Sequence, residues 1–409
     1  MTPRRDLRRV LVHLNSLELG GTQINAVDLA AEIRSHGFDS VLVGARDTIP
    51  SRGPSVLDVA QARGMRVLPY DPEPSIVKRG RQLSAIADDR GLGMIHVYGS
   101  WGGGARPTYW GPSLLGRRPW LQTVYEMEVS PKLKRHMPMI VGTGYLIEEL
   151  QDRPGRTILI SPPVDTYSDR PDSRASAAFR AENGLPGTLL VIVSRLDKSM
   201  KSVPIGIAID AMRNVGGDVN LVIVGSGDNT DQLRALGARV NEDIGRSVVR
   251  FVGAMADPRP AYAAADVVLG MGGSAARALS FGKPLVVQGE AGWSQLFDEK
   301  TAPALARSSY WSAMQVDDAV QMLNAALAPV LADQQRRSEL GAFGREFAIA
   351  RFGLPAMAAK LASFYRVSAK SYTVRSWIAD LPPEAAILAQ KIQRQTRRIT
   401  GSRDGGSSA

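Results

Sequence analysis

The sequence predicts an α/β protein built from two Rossmann-like domains, each with a parallel sheet covered by helices. Apolar runs of strand length alternate with amphipathic helical segments as far as about residue 350, which is typical of parallel sheets. The alternation breaks between residues 171 and 186 and then starts again. The chain has 409 residues, too many for one ordinary hydrophobic core.

The N-terminal half begins with a predicted strand, RRVLVHLN, followed by the segment TQINAVDLAAEIRSHG. In that segment apolar residues recur at the spacing of a helix face: Ile24, Val27, Leu29, Ala30 and Ile33. Further strands are predicted at SVLVGA, GMIHVYG, PWLQTVYE, PMIVGTG and RTILISPP. We assign residues 1–170 to this N-terminal Rossmann-like domain.

The second half starts with turn residues and a continuous apolar run, LLVIV, at residues 189–193. Strands are then predicted at VNLVIVGSG, RSVVRFVGAM, ADVVLGMGG and KPLVVQGE, so we assign residues 186–350 to a second Rossmann-like domain. Residues 351–399 are predicted to form helices that cross back onto the body, and residues 400–409 a disordered tail. The basic segment from about residue 374 could instead dock on a membrane or a partner.

Composition excludes several classes of protein. The sequence has no cysteine, which removes disulfides, thiolate nucleophiles and zinc–thiolate sites and fits a reducing cytoplasm. No apolar run reaches the roughly 20 residues that span a bilayer. The first residues, MTPRRDLRRVLVHLNSLELGG, lack a small-residue cleavage site and predict a strand rather than a signal peptide.

The formal net charge of +10 points to anionic substrates or an anionic membrane face. Nucleic acid is not an expected partner, because the basic residues are dispersed and no nucleic-acid-binding module is present. We therefore predict a cytoplasmic protein and leave open a peripheral association with the inner membrane face.

Four loops after predicted strands suit phosphate. Glycines let the backbone approach a ligand, and helix N-termini offer unpaired N–H groups. Three of the loops contain the sets Gly20, Gly21 and Thr22; Gly225 and Gly227; and Gly272, Gly273 and Ser274. The fourth holds Arg195 and Lys201, two cations that could neutralise a diphosphate or simply be solvated. In open α/β sheets ligands bind at the carboxyl ends of strands, so we expect the site in a cleft across which the two sheets face.

The order of these segments resembles the group-1 family of retaining GT-B glycosyltransferases. The shared segments are GGTQ, SRL with a following lysine, VIVGSG, VVRFVGAMADPRPAYAAADVVL, ALSFGKPLVV and RFGLPAMAAKLASFY, and ISPPVDT resembles the family's turn before the interdomain linker. The resemblance covers about residues 8–366. It implies that a nucleotide sugar binds mainly the C-terminal domain and that a glycan, lipid-linked or small-molecule acceptor binds the N-terminal one.

The resemblance also implies roles for individual residues. Arg195 and Lys201 would contact the donor diphosphate, the backbone at Val252 and Gly253 would hold the base, and the Gly20–Gly21 turn would close over the phosphate or sugar. No resident cofactor is expected, since the nucleotide sugar is a co-substrate. No Asp-x-Asp pair follows a suitable strand, so a metal ion is not required.

Arg277 departs from the family pattern, because it occupies the place of the glutamate that holds the ribose hydroxyls. A guanidinium only donates hydrogen bonds, so that role cannot be carried over. Arg277 would either grip the diphosphate or pair with an acid such as Glu290, and we favour contact with the donor. Glu290 is retained as a donor-side candidate.

A second departure is Tyr125, where the family tends to have a histidine near the transferred sugar. Tyrosine is a poor base at neutral pH. Glu126 and Glu128 are therefore candidates for contacting the sugar or acceptor, and His96, before a glycine-rich loop, is another candidate that could equally be a satisfied core residue.

The function hypothesis is a metal-independent retaining glycosyltransferase that uses a nucleotide-diphospho-sugar. Cations and helix N-termini would stabilise the charge that develops on the leaving diphosphate. Two alternatives stay open: a non-catalytic GT-B protein that binds a sugar nucleotide or supports a partner, and a sugar-nucleotide epimerase.

Overall fold

The structure, a computed structural model, describes residues 5–46, 55–100, 104–131, 133–198, 201–371, 374–382 and 385. The described chain divides into an N-terminal unit (residues up to 142, 146–160 and from 358) and a C-terminal unit (residues 143–145 and 161–357). The boundary between the units thus falls at residue 160, earlier than the predicted linker.

Seven strands form the sheet of the N-terminal unit: β1 (Asp6–Leu14), β2 (Asp39–Ala45), β3 (Val67–Tyr70), β4 (Leu92–Tyr98), β5 (Trp120–Val124), β6 (Met139–Val141) and β7 (Thr157–Leu159). Their order is β3-β2-β1-β4-β5-β6-β7, and all neighbours are parallel. The sequence did not predict the edge strand β3, which is short and contains Pro69, a residue that sheets accept mainly at edges.

The C-terminal unit contains β8 (Thr188–Val193), β9 (Val219–Val224), β10 (Val249–Gly253), β11 (Val267–Gly270), β12 (Leu285–Gln288) and β13 (Ser294–Leu296). The order is β10-β9-β8-β11-β12-β13, parallel except for the antiparallel pair β12–β13. The predicted class, two Rossmann-like α/β domains with parallel sheets, is confirmed; β13, only three residues long, was missed.

The helices alternate with the strands. They are α1 (Gly21–Glu32), α2 (Val56–Ala62), α3 (Ile76–Asp89), α4 (Ala105–Thr108), α5 (Gly144–Glu149), α6 (Ser173–Glu182), α7 (Ser202–Ala211), α8 (Thr230–Ile244), α9 (Arg259–Ala264), α10 (Gly273–Ser280), α11 (Ala302–Arg307), α12 (Ala319–Ala332), α13 (Gln334–Phe352), α14 (Leu354–Ser371) and α15 (Val374–Ala379). Short 3₁₀ turns cover Ile33–His36 and Met212–Asn214, and Tyr109–Leu115 is π-helical.

Strand β8 shows why continuous apolar runs predict a sheet covered on both faces. Leu189 and Val191 point into one cluster of buried side chains, and Leu190 and Ile192 into another. Successive side chains of a strand alternate between faces, so both faces of β8 are buried.

The last helices belong largely to the N-terminal unit. Trp377 on α15 is buried and stacks on Tyr109, with ring centroids 4.3 Å apart. The Asp380 carboxylate accepts hydrogen bonds from the backbone N–H groups of Arg135 and His136. The start of the basic segment is therefore packed on the body, whereas residues 386–399 and the predicted tail 400–409 lie outside the described residues. None of the described helices is long and apolar enough to cross a membrane.

Candidate functional site

The carboxyl ends of β8, β11 and β12, which are neighbours in the C-terminal sheet, bring together most of the predicted donor-side residues. A small pocket lies at this edge. Its polar lining comes from Ser194, Lys201, Ser274 and Gln288, and its apolar wall is formed mainly by Ile192, Ile205, Leu269 and Met271.

Lys201 is the cation of this pocket. It precedes α7, whose first residue, Ser202, donates from both its backbone N–H and its hydroxyl to the carbonyl of Asp197 and so closes the loop. Lys201 is half-buried, and none of the described residues forms an ion pair or hydrogen bond with its ammonium group. Burial lowers its pKa, and the neighbouring Arg195 adds to this, while Glu290 and Asp197 act in the opposite direction. A half-buried cation without a paired carboxylate is suited to an anionic ligand.

Arg195 lies on the same loop but is held differently. Its side chain is 76% exposed, and its guanidinium is 3.1 Å from the carboxylate of Asp197. Both predicted cations thus lie on one loop, but of the two only Lys201 is half-buried and lines the pocket. Exposed ion pairs are weak, so Arg195 can exchange Asp197 for another anion at little cost.

The N-terminus of α10 forms the other side of the pocket. Gly272 has φ 56° and ψ −128°, a conformation that favours glycine, and its N–H donates to the carbonyl of Tyr310. No side chain caps the helix, and the amides of Gly273, Ser274 and Ala275 donate to no carbonyl among the described residues. These bare amides and the helix dipole make this end a candidate anion site.

Gly225 and Gly227 are needed for packing, and their predicted contact with a ligand stays a prediction. A Cβ on Gly225 would lie 1.8 Å from the carbonyl oxygen of Ser194, and one on Gly227 would lie 2.4 Å from the carbonyl carbon of Leu196. Both glycines are needed because the loop after β9 passes directly over the loop after β8, where Leu196 donates its N–H to Ser226. The two glycines therefore allow the loop after β9 to pack against the loop that carries Arg195.

Arg277 is held in an ion pair with Asp169, which favours the structural alternative over the donor contact; the donor contact itself stays a prediction. Its Nε donates to Oδ2 of Asp169 at 2.7 Å, and the Asp169 side chain is only 4% exposed. Ser280, one turn later, donates its hydroxyl to the carbonyl of Asp169. Arg277 therefore fixes the segment after β7 to α10, and its partner is not Glu290 as the sequence suggested.

Glu290 stays available at the strand edge. Its Oε2 accepts a hydrogen bond from the indole Nε1 of Trp311 at 3.2 Å, and its backbone N–H donates to Ser312. The carboxylate also influences the pKa of Lys201, so the two charges are near each other. Val252 and Gly253, predicted to hold the base, end the edge strand β10, where the ladder shifts register and Gly253 has φ 89°.

In the N-terminal unit, Gly20 and Gly21 are placed as predicted, before a helix. Gly20 has an extended backbone and α1 begins at Gly21, one residue earlier than the predicted start at Thr22. Gly21 is exposed with open space around its Cα. The side chain of Gln23 lies against Gly20, where a Cβ would be 2.5 Å from its Oε1.

Tyr125 and Glu126 follow β5 at the same edge of that sheet. Oε1 of Glu126 accepts hydrogen bonds from the backbone N–H and the hydroxyl of Ser100, at 2.7 and 2.9 Å. The Tyr125 hydroxyl is buried beside Tyr98, and burial raises its pKa well above the usual range, so it stays protonated. Glu128 is exposed.

His96 is a core residue, which corrects its candidacy for the site. It is fully buried, its Nδ1 is 2.7 Å from the hydroxyl of Tyr365, and its Nε2 is 2.7 Å from the hydroxyl of Thr123. Burial lowers its pKa to about 3, so the ring is neutral at physiological pH. Both nitrogens are occupied within the protein, and neither is available to a substrate.

Asn15 and Gln122 are buried polar residues near the strand edge of the N-terminal sheet that the sequence analysis did not single out. Asn15 follows β1 and Gln122 lies in β5, and each is more than 90% buried. The only signal was a polar side chain in or directly after an apolar strand. This signal is weak, because buried amides often just satisfy a nearby backbone group. The same holds for Gln288, whose Nε2 donates to the carbonyl of Pro204.

Comparison with known proteins agrees with this architecture. Residues 187–338 match the family model described as "Glycosyl transferases group 1". The fold is similar to that of HepE from Anabaena, solved in complex with UDP (TM-score 0.67, 16% identity, 88% of this chain and 100% of that chain). It is also similar to a glycosyltransferase from Rickettsia africae (0.67, 13%, 90% and 100%). No curated protein matches the sequence.

A third similar structure is the pneumococcal O-GlcNAc transferase GtfA in complex with UDP and GlcNAc (TM-score 0.61, 12% identity, 88% of this chain and 99% of that chain). At these identities the likenesses define the fold, which is GT-B. The family match contains Lys201, the α10 N-terminus and Glu290. The family match is limited to residues 187–338, in the C-terminal unit, and the fold is the one that the sequence resemblance implied.

Proposed function

We propose that this protein transfers a sugar from a nucleoside-diphosphate sugar to a hydroxyl acceptor, with retention of the anomeric configuration and without a metal ion. The observation that carries the proposal is the strand edge of β8 and β11. There Lys201, a half-buried lysine with no carboxylate partner among the described residues, lines the same pocket as the uncapped end of α10.

This arrangement addresses the difficult step, the departure of the nucleoside diphosphate. As the bond between the anomeric carbon and the β-phosphate oxygen breaks, negative charge accumulates on the phosphate. That charge would be stabilised by Lys201 and by the amides of Gly273 and Ser274. Arg195 would also stabilise it by leaving Asp197 and pairing with the phosphate. Preorganised donors of this kind typically contribute a large part of the rate enhancement.

The acceptor hydroxyl would attack from the face that the diphosphate leaves, forming the new carbon–oxygen bond as the old one breaks. Its proton would pass to the departing phosphate oxygen. This route yields retention and needs no side-chain base, which agrees with His96 and Tyr125 being neutral and buried. The described residues contain no group of three or more metal-ligating side chains, and metal independence stays part of the proposal.

We assign recognition of the donor ribose to Glu290 instead of position 277. The ribose diol needs a hydrogen-bond acceptor, and Arg277 supplies none and is bound to Asp169. One oxygen of Glu290 is fixed by Trp311, so the other can accept from a hydroxyl. Glu290→Gln would then raise the KM for the donor more than it lowers kcat, with Glu299→Gln as the matched control on an exposed acid.

The decisive experiment is a donor screen with the full chain. UDP-, GDP- and ADP-sugars are tested for a rise in Tm, since binding to the native state stabilises it. Donors that bind are then tested for release of nucleoside diphosphate, with and without sugar, lipid-linked and small-molecule acceptors. The proposal predicts binding and acceptor-dependent release with EDTA present.

Each other outcome contradicts a defined part of the proposal. Binding without turnover for every donor and acceptor would indicate a non-catalytic sugar-nucleotide-binding protein. Conversion of the donor sugar with no acceptor present would indicate an epimerase. Failure of every nucleotide sugar to bind would remove the donor site itself. Flotation with anionic and neutral vesicles tests separately the peripheral membrane association that the sequence leaves open beside a proposed cytoplasmic location.

A further inference from the structure

Two consecutive residues shortly after α11, Ser309 and Tyr310, have left-handed backbone conformations although neither is glycine. Their φ angles are 51° and 58°. Residues with a side chain rarely adopt this conformation, because the Cβ crowds the following carbonyl oxygen, and the strain persists only where surrounding contacts impose it. The end of the helix accounts for Ser309, since the N–H groups of Ser309 and Tyr310 donate to Ala306 and Leu305 in the pattern that ends many helices. It does not account for Tyr310.

The contacts of Tyr310 show what its conformation achieves. Its ring is buried and lies edge-on to the ring of Phe352, with centroids 6.0 Å apart. Its carbonyl oxygen accepts a hydrogen bond from the N–H of Gly272 at 3.1 Å. Gly272 directly precedes α10, the helix whose first amides are free. The strained residue therefore fixes the start of the helix that we assign to the leaving phosphate.

The next two residues hold Glu290. The indole Nε1 of Trp311 donates to its Oε2 at 3.2 Å, and the carbonyl of Ser312 accepts from its backbone N–H at 2.9 Å. A Cβ on Gly289 would lie 2.6 Å from that carbonyl oxygen, so only glycine allows this approach. Glu290 is thus fixed at its backbone and at one carboxylate oxygen, and no described residue donates to the other oxygen, Oε1.

The segment 310–312 therefore connects two parts of the candidate donor site, the start of α10 and the Glu290 carboxylate. Burial lowers the pKa of Lys201 in the pocket and Glu290 opposes this shift, so the carboxylate lies near the phosphate side of the site. A free glutamate side chain loses rotamer freedom when it binds a ligand. Because the indole already holds one oxygen of Glu290, less of this freedom remains to be lost. The arrangement suits a carboxylate that accepts from a vicinal diol.

We propose that Trp311 is a positioning residue of the donor site: it orients the Glu290 carboxylate toward the ribose hydroxyls, so that the protein selects ribonucleotide over deoxyribonucleotide donors. Through Tyr310 the same segment is tied to α10, so the ribose contact and the phosphate contact keep a fixed spacing. The inference rests on the proposed function, which supplies the nucleotide donor, and goes beyond it by naming the residue that determines the selection.

The test compares nucleotides that differ by one hydroxyl group, with the full chain. Isothermal titration calorimetry gives the dissociation constants of UDP, GDP and ADP and of their 2′-deoxy forms. The ribonucleotide that binds most tightly is expected to bind at least about tenfold more tightly than its 2′-deoxy form, because one hydrogen bond to a charged group is lost. The ratio of these two dissociation constants is the quantity followed in the variants.

Trp311→Phe keeps an aromatic ring and removes the indole N–H. The ratio is expected to fall to about threefold or less, while the affinity for the 2′-deoxy nucleotide stays within about twofold. A merely structural role of Trp311 would weaken both nucleotides alike and leave the ratio unchanged. Trp293→Phe is the matched control, since Trp293 is also half-buried in the same unit and its indole donates to no described residue. Its ratio should equal that of the unmodified protein.

A double-variant cycle shows whether Trp311 acts through Glu290. Glu290→Ala removes the carboxylate and is expected to abolish most of the ratio. Adding Trp311→Phe to Glu290→Ala should lower it no further, since residues that act as one unit are not additive. Circular dichroism confirms folding. Gly289→Ala, whose Cβ would displace the Ser312 carbonyl, is expected to lower the ratio as well and serves if Trp311→Phe does not fold.

Three results would overturn the proposal while the proposed function stands. They are nucleotide binding with a ratio near one in the unmodified protein, a ratio that Trp311→Phe leaves unchanged, and additive losses in the double variant. Failure of every nucleotide to bind is a different outcome, because it removes the proposed function and this inference together.

Discussion

Three cations that look alike in the sequence have different partners in the folded protein. Lys201 is half-buried without an ion-pair partner among the described residues, Arg195 is exposed beside Asp197, and Arg277 is bound to the buried Asp169. The energetic consequence of removing each follows from its partner. Removing a cation that contacts only a ligand is expected to lower the rate of the reaction. Removing a cation that neutralises a buried acid is expected to lower the stability of the fold.

Lys201→Ala is expected to lower kcat about 100- to 1000-fold, because one preorganised donor to the leaving diphosphate is lost. Arg195→Ala is expected to have a smaller effect, since its side chain is largely exposed. Steady-state kinetics of nucleoside diphosphate release measure both. Lys198→Ala, an exposed lysine of the same loop, is the control. Equal activity of the Lys201 and Lys198 variants would remove the diphosphate assignment.

Arg277→Ala is expected to lower the free energy of unfolding by about 1–3 kcal/mol, because Asp169 keeps its buried carboxylate and loses this guanidinium. Donor KM should not change. Urea denaturation and donor kinetics separate the two effects. A changed donor KM with unchanged stability would restore the donor contact predicted from the sequence.

His13 and His96 are expected to make the protein less stable in acid. Burial lowers their pKa values to about 4 and about 3, below the ordinary 6.5. From pH 6.5 down to about 4 the unfolded chain therefore binds more protons, and stability falls with pH by up to about 1.4 kcal/mol per unit for each histidine. Denaturation at pH 7, 6 and 5 should show a shallower slope for His96→Gln; an identical slope would contradict the assignment.

At the scale of elements, the strand-to-helix turns serve two different purposes. The loop after β9 uses Gly225 and Gly227 to pass over a neighbouring backbone, whereas the turn before α10 uses Gly272 to begin a helix whose amides stay free. A glycine pattern alone cannot separate these uses. The difference appears only when the space in front of each Cα is known.

Gly225→Ala is expected to destabilise the protein by about 1–3 kcal/mol, because its Cβ would lie 1.8 Å from the carbonyl oxygen of Ser194. Gly273→Ala is the matched control, since no atom lies within 4 Å of the added Cβ. Thermal denaturation of the two variants gives the comparison. Equal Tm values would show that the loop after β9 can move aside.

At the scale of the whole molecule, the net charge of +10 does not describe the two candidate sites. The strand edge of the C-terminal unit presents Lys201 and bare amides, and that of the N-terminal unit presents amide groups and the Glu126 carboxylate. The two sheets therefore offer opposite chemistry at equivalent edges.

EDTA is expected to leave the transfer rate unchanged, because in the proposed mechanism Lys201 and the α10 amides supply the charge stabilisation that a divalent ion would otherwise give. The measurement is kcat in metal-depleted buffer against buffer with added magnesium or manganese. Loss of activity in EDTA that returns with either ion would contradict metal independence.

The sequence by itself determined the fold class and the elements that carry the candidate donor site. Apolar runs such as Leu189–Val193 report burial on both faces, and glycines before helices report turns, so both sheets and the edges at their strand ends could be predicted. These signals are local, because they depend on residues within one strand or one turn.

Only the tertiary structure decided which polar residues pair with each other. Arg277 meets Asp169 across 108 positions, and His96 meets Tyr365 across 269, so no local pattern could report either partner. Asn15 and Gln122 likewise both contact Gly99, in the turn after β4, which is distant from each of them in the sequence. Burial and partner choice depend on contacts distant in sequence, and these contacts separate a structural charge from a functional one.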